Sequence, residues 1–278
     1  MPNIDLHCHS NVSDGTLSPA ELAARAAANG VDVWALTDHD EVGGIAEARK
    51  AAEELGVRFV AGVEISITFA GKTVHIVGLN IDEQHPVLQR GLAGVREGRV
   101  RRGQQIAMQL ELTGLSNVFE GALKYAKNPS LIGRAHFARY LVELGVQPTV
   151  SEVFRHYLVE GKPGFVPHRW TTLQEAVGWI RAAGGRAVIA HPGRYSFDLM
   201  QFDALLAEFS ALGGEGIEVI TGSHTPDQFG EYAALARRTG MLASRGADFH
   251  GPEESRVDLG SLPHLPADLK PVWHDWQV

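Results

Sequence analysis

Apolar residues recur along this chain in two rhythms. Short runs such as Ile4–His7, "VDVWALTDHD" and "VRFVAGVEIS" have the β-branched and aromatic content of strands. Between them, "SPAELAARAAANG" and "GIAEARKAAEELG" place apolar positions at helical spacing. The first of these helices is marked at both ends. Ser18 stands as N-cap, Pro19 fits the first helical position, Glu21 completes a capping box, and Gly30 follows the last turn. This β-α-β-α-β alternation predicts a parallel sheet or barrel with helices outside it. The next stretch, "ISITFAGKTVHIVGLNI", predicts a hairpin turning near Gly71.

From Pro86 the pattern changes. "VREGRVRRGQQIAMQLEL", "NVFEGALKYA" and "RAHFARYLVELG" are helical in spacing, with no strand between them. After "TTLQEAVGWIRAAGG" the alternation resumes. Strands "RAVIAHPG", "GIEVITG" and "MLASRGADFHG" are separated by helices "FDALLAEFSALGG" and "DQFGEYAALARRTG". The expected organisation is an α/β domain made of residues 1–85 and 171–278, interrupted by a helical subdomain at 86–170.

Composition narrows the function classes. With 278 residues, 44% hydrophobic and 21% charged, the chain has the make-up of a folded globular protein. It contains no apolar run of the ~18 residues a membrane span needs. The N-terminus shows no signal-peptide pattern, so a cytoplasmic location and no membrane partner are expected. Cys8, the single cysteine, excludes an internal disulfide. The net charge of −8 is unevenly spread. Residues 89–170 hold 12 Lys and Arg against 6 Asp and Glu, while the rest holds 13 against 27. An acidic body suits bound cations, and a basic middle suits an anionic ligand.

Ligand-type side chains fall at recurring places on this map. His7 and His9 follow the first strand, His39 the second in "LTDHD", and Glu64 the third in "GVEIS". Asp14 lies just beyond the first pair, and His75 lies in the hairpin. His191 follows "RAVIA", and Asp248 and His250 close the last strand. Strand C-termini are where β/α barrels and open α/β sheets assemble active sites. Side chains alternate along a strand, so His7 and His9 point one way and Cys8 the other. Nine such groups exceed the needs of one ion and suggest two or three. Imidazole and carboxylate donors without thiolate favour Mn, Zn or Fe. Asp38 or Asp40 is placed to orient an imidazole.

Taken together, "DLHCHSNVSDG", "LTDHD", "GVEIS", "HIVGLNI", "AHPGR" and "GADFHG" resemble the ordered motifs of the polymerase and histidinol phosphatase (PHP) family, over about residues 1–82 and 186–251. The resemblance implies a distorted (β/α)7 barrel, three divalent ions (Mn first, then Zn or Fe) and phosphoester hydrolysis. Carried over by position, it implies one ion on His7, His9, Glu64 and Asp248, and a second on Asp14, His39 and His250. A third would lie on His75 and His191, with Glu64 bridging. The helical insert resembles the branch of nucleoside 3′,5′-bisphosphate phosphatases and related 5′-to-3′ exoribonucleases.

Clustered ions would supply a bridging hydroxide for in-line attack on phosphorus. Asp248 and His191 are the catalytic candidates, Asp248 for accepting a proton from the attacking water. No phosphate-binding G-x-x-x-x-G-K-[ST] loop and no G-x-S-x-G elbow competes with this chemistry. Substrate choice falls to the basic insert. Arg102 and Arg134 are expected to grip a non-reacting phosphate, beside Arg99, His136 and Arg169, because a guanidinium donates paired hydrogen bonds. Tyr125, Tyr140 and Trp170 are candidates for stacking a base, against a core role. The expected activity is removal of the 3′-phosphate from a small nucleoside 3′,5′-bisphosphate. The alternatives are 5′-to-3′ exonuclease action on short oligonucleotides and histidinol-phosphate hydrolysis. No protein partner is implied.

Overall fold

Strands β1 (Ile4–Asp5), β2 (Val33–Leu36) and β3 (Arg58–Phe69) pair in parallel. Strand β4 (Lys72–Leu79) returns antiparallel on β3, and β5 (Arg186–Ile189) pairs antiparallel with β4. Strands β6 (Gly216–Thr221) and β7 (Leu242–Gly246) then continue in parallel. In this computed structural model, which describes residues 2–276, the two sheet edges meet. Leu6 N–H donates to the Arg245 carbonyl at 3.0 Å, Asp248 N–H to His7 at 2.8 Å, and His9 N–H to Phe249 at 2.9 Å. The result is a nearly closed seven-stranded α/β barrel.

The helices follow in chain order. After β1 and β2 come α1 (Pro19–Ala28) and α2 (Ile45–Glu54). Between β4 and β5 lie α3 (Pro86–Glu111), α4 (Val118–Leu123), α5 (Arg134–Glu143), α6 (Val150–Val153) and α7 (Leu173–Ala182). A π-helical turn, Phe154–Leu158, extends α6. Helices α8 (Leu199–Ala211) and α9 (Pro226–Thr239) follow β5 and β6. Helix α1 has the capping box expected of Ser18 and Glu21.

Burial sorts the apolar residues into three clusters. Ile4, Leu6, Val33, Val60, Val77 and Val188 fill the barrel. Leu22, Trp34, Ile65, Ile180 and Phe209 belong to the shell between strands and helices. Ile106, Leu110, Phe137, Leu141 and Val153 make a separate cluster within the helical stretch. Helix α3 belongs to two of them, with Leu88 and Leu92 in the shell and Ile106 and Leu110 in the third cluster. At 26 residues it spans roughly 39 Å, long enough to cross from one to the other. Its first half lies against α7, where a Cβ on Gly91 would fall 2.4 Å from the Trp179 ring.

Two features depart from the sequence expectation. Strand β3 does not end at Glu64 but runs to Phe69, because its apolar, β-branched pattern is unbroken until Ala70 and Gly71. Both of those residues adopt positive φ and form the two-residue turn into β4. The hairpin therefore rises above the barrel mouth. Glu64 sits inside a strand, and His75 enters from the first half of an antiparallel one. Not every ligand-type residue, then, sits at a strand's C-terminal end. Cys8 does face away from the histidines: the Trp34 indole N–H donates to its sulfur at 3.1 Å, and its thiol donates to the Ala35 carbonyl at 3.3 Å.

Candidate metal centre

At the barrel mouth the nine ligand-type residues converge. Glu64, fully buried on β3, is central. Its Oε1 lies 2.9 Å from His191 Nε2, 3.0 Å from His75 Nδ1 and 3.4 Å from His7 Nε2. Its Oε2 lies 2.9 Å from His39 Nδ1 and 3.3 Å from His9 Nε2. Asp248 Oδ1 is 3.2 Å from His9 Nε2 and 3.5 Å from His7 Nε2. Asp14 completes the far side, 3.6 Å from His250 Nε2 and 3.9 Å from both His9 and His39. His191 and Asp248 hold φ of 26° and 54°, left-handed values that side chains other than glycine rarely take and that collect at functional sites.

These donors group in a way that fits cations. Sets with mutually close ligand atoms are His9, Asp14, His39 and His250; His7, His191 and Asp248; His7, His9 and Glu64; and His39, Glu64 and His75. The sets overlap, so the geometry does not divide the donors as the family carry-over does. His9 stands with the Asp14 set, and His191 stands with His7 and Asp248. Seven of the nine residues carry a buried nitrogen or oxygen without a hydrogen-bond partner among the described residues. They are His9, Asp14, His39, Glu64, His75, His191 and Asp248. Leaving such atoms unpaired is expensive, and a divalent ion satisfies lone pairs that face one another.

Electrostatics agrees. Burial opposes ionisation of Glu64, yet His75, His39 and His7 hold it well below the usual carboxylate range. Asp248 is depressed likewise against burial, by His7, His9 and His250. Burial pushes His39 down to about 4 and His191 to about 3, so both present neutral rings. His9 goes the other way, up to about 10, because Asp248 and Glu64 overcome its burial. Protons there supply positive charge that bound cations would replace.

The remaining candidates lie around this cluster. Arg96, Arg99 and Arg102 share one face of α3. Arg99 is spent within the protein, paired with Asp40 and donating to Ser66 Oγ at 3.1 Å. Arg102 is buried with one main-chain partner, the Val166 carbonyl at 3.1 Å, and Arg134 has only Leu158 at 3.3 Å. Neither has a carboxylate partner among the described residues. Burial and neighbouring guanidiniums push Arg102 down to about 9 and Arg134 to about 10. His136 uses both ring nitrogens on main chain, accepting from Gly133 N–H and donating to the Ser13 carbonyl. Arg169 is exposed.

Neither aspartate beside His39 orients an imidazole. Asp38 accepts from Ser10 and Ser13, and Asp40 from Ser66 and Arg99, because their carboxyls point into the loop and toward α3. Trp170 is closed to a base. Its indole donates to Thr73, and Arg99 and Arg102 stand 4.8 and 5.3 Å from its ring centre. Tyr140 is buried, and Tyr125 donates to Glu143.

Sequence reasoning missed Glu218, Arg194 and Arg139. Glu218 is a buried carboxylate in an apolar strand, a placement that demands a partner, but its partners lie far off along the chain. Arg194, in "AHPGR", donates to Asp248 Oδ2 at 3.1 Å with half its side chain exposed. Arg139 donates to Glu254 at 2.7 and 2.8 Å and to the Asp14 carbonyl at 2.5 Å, tying α5 to the barrel.

A barrel that gathers imidazoles and carboxylates at its mouth, rimmed by arginines, defines a metal-dependent phosphoesterase. The PHP domain matches residues 5–159, and the chain belongs to the PHP family. It is 49% identical to the 3′,5′-nucleoside bisphosphate phosphatase of Chromobacterium violaceum, over 100% of this chain and 98% of that one. It is 40% identical to the 5′-3′ exoribonuclease Rnm of Escherichia coli, over 98% and 93%. A solved structure from C. violaceum, described as an amidohydrolase with bound sulfate and no metal, superimposes with a TM-score of 0.94. That match has 49% identity and covers 98% of this chain and 94% of that one. No described helix is long and apolar enough to cross a membrane.

Proposed function

We propose that this protein removes the 3′-phosphate of nucleoside 3′,5′-bisphosphates. The observation that carries the reading is the pair Arg102, buried, and Arg134, partly buried, cations with no carboxylate partner among the described residues beside a phosphoesterase centre. Burying an uncompensated charge is costly, and a second phosphate on the substrate would supply the missing anion. The full-length similarity to a phosphatase of that name favours the same substrate. In this reading the stretch 86–170 caps the site and presents the arginines, while Arg99 and His136 hold the cap to the barrel. Arg169 stays at the rim.

His7, His9, Asp14, His39, Glu64, His75, His191, Asp248 and His250 would hold the ions, three in number and Mn in preference to Zn or Fe. Divalent cations there supply Lewis-acid charge for the phosphoryl oxygens and lower the pKa of a bound water. Asp248 Oδ1, unpartnered and ionised, accepts the proton of the attacking water as the bond from phosphorus to the ribose 3′-oxygen breaks, and the released 3′-oxygen takes a proton from solvent. His191, held neutral, contributes a lone pair and no proton. Arg194 reaches the same aspartate with part of its guanidinium free for a phosphoryl oxygen.

A phosphate-release screen with added Mn²⁺ tests the reading. It compares nucleoside 3′,5′-bisphosphates, 5′-monophosphates, histidinol phosphate and short 5′-phosphorylated RNA. The bisphosphates are expected to give the highest kcat/KM, and a preference for RNA would instead favour exonuclease action, the activity named for the 40–42% identical relatives. Arg134→Ala should raise KM for the bisphosphate by about 10- to 100-fold, the worth of a charged hydrogen bond. An aryl phosphate should be little affected, and equal effects on both would remove Arg134 from the binding site.

A further inference from the structure

Glu218 occupies the middle of the apolar segment "GIEVITG" on β6 and is 1% exposed. The register of β6 on β7 shifts between Glu218 and Ile220, a bulge of the kind that re-aims side chains next to active sites. Both carboxylate oxygens are used. Oε1 accepts from His7 Nδ1–H at 2.7 Å, and Oε2 accepts from the main-chain N–H of His191 at 2.5 Å. One buried acid therefore holds two candidate ligands that come from opposite sides of the barrel seam.

Each bond fixes something the centre needs. A neutral imidazole carries one proton, and a carboxylate that accepts it at Nδ1 leaves the lone pair on Nε2. His7 Nε2 is the atom that faces the cluster, 3.4 Å from Glu64 and 3.5 Å from Asp248. The His7 backbone has no freedom of its own, since a Cβ on Gly246 would fall 2.4 Å from His7 Cβ. The second bond holds the His191 main chain in its left-handed conformation, which sets where that ring points. A carboxylate retained only to satisfy the core would have no reason to spend both oxygens on ligand residues.

We propose that Glu218 is a positioning residue of the metal centre, fixing the tautomer of His7 and the backbone of His191 so that both rings offer lone pairs to the ions. This rests on the reading of the site as a metal centre. Glu218→Gln separates the roles because the amide keeps the shape but has one accepting and one donating end. If its oxygen keeps the His191 N–H, its NH₂ faces His7 Nδ1 and drives the ring proton to Nε2, into the cluster.

The experiment is a Mn²⁺ titration of metal-free wild type and Glu218→Gln, with circular dichroism to verify folding. It is joined by histidine ¹⁵N spectra of the Zn²⁺-loaded wild type. The variant is expected to bind more weakly by about 10- to 100-fold. The wild-type spectra should place the His7 proton on Nδ1, with Nε2 bound. Wild type that takes up no metal would overturn the metal-centre reading itself. A folded variant that binds as many ions as wild type, as tightly, would overturn the positioning role alone. Should the variant not fold, the wild-type spectra decide, and a His7 ring without a proton on Nδ1 rejects the proposal.

Discussion

His224 accepts from the Gly193 N–H through Nε2 at 3.0 Å, donates to the Val219 carbonyl through Nδ1 at 3.2 Å, and stacks on Tyr232 with ring centres 4.6 Å apart. It braces the turn after His191 against the bulge after Glu218, so the two segments that steer the ligands share one support. Burial pushes this imidazole down to about 4. Below pH 6.5 the unfolded chain protonates it while the folded chain does not, so its contribution to stability is full above 6.5 and is lost as pH falls toward 4. Urea melts across that window should show a smaller loss for His224→Gln than for wild type. The sequence carries no local mark of this brace. What it lacked was the partner, since Gly193 lies 31 positions away. The nine ligand-type residues were legible because each sits in a short local motif. Glu218, with its partners 211 and 27 positions distant, was not.

Helices α4 and α5 touch through a glycine. A Cβ on Gly121 would fall 2.1 Å from the Tyr140 ring, which is buried and has little room to withdraw. Gly121→Ala should therefore destabilise the protein by about 1–3 kcal/mol, as overpacked cores do. Calorimetry of the metal-free protein measures this as a melting point several degrees lower. At this scale the periodicity located the strands and most helices, and the hairpin turn at Ala70–Gly71 fell where expected. It misjudged the length of β3, expected to end at its ligand-type residue although the strand pattern runs on to Phe69. The π-helical turn at Phe154–Leu158 was unforeseen, because its hydrogen bonding leaves no mark on the pattern of apolar residues.

The helical stretch and the barrel are joined by α3 and by buried or partly buried polar ties, among them Arg99 to Asp40, Arg139 to Glu254 and His136 to Ser13. Breaking a fully buried pair by removing one partner costs about 3–5 kcal/mol, and the partly buried Arg139–Glu254 pair falls below that. Arg139→Ala should accordingly raise amide hydrogen exchange across α5 while the barrel strands keep their protection, as read by mass spectrometry. The charge imbalance seen in the sequence was legible at this scale, but its meaning was not. Some of the excess arginines serve these ties, while in the helical stretch Arg102, buried, and Arg134, partly buried, have no carboxylate partner among the described residues.

Cys8 gives the whole assembly a built-in gauge. Its thiol is sealed in the shell between strands and helices, against Trp34 and the Ala35 carbonyl of β2, and burial drives its ionisation far above the usual thiol range. Only the thiolate reacts with alkylating agents, so labelling must wait until that packing opens. The rate at which maleimide or iodoacetamide marks this chain therefore times the opening of the barrel, with no engineered probe required.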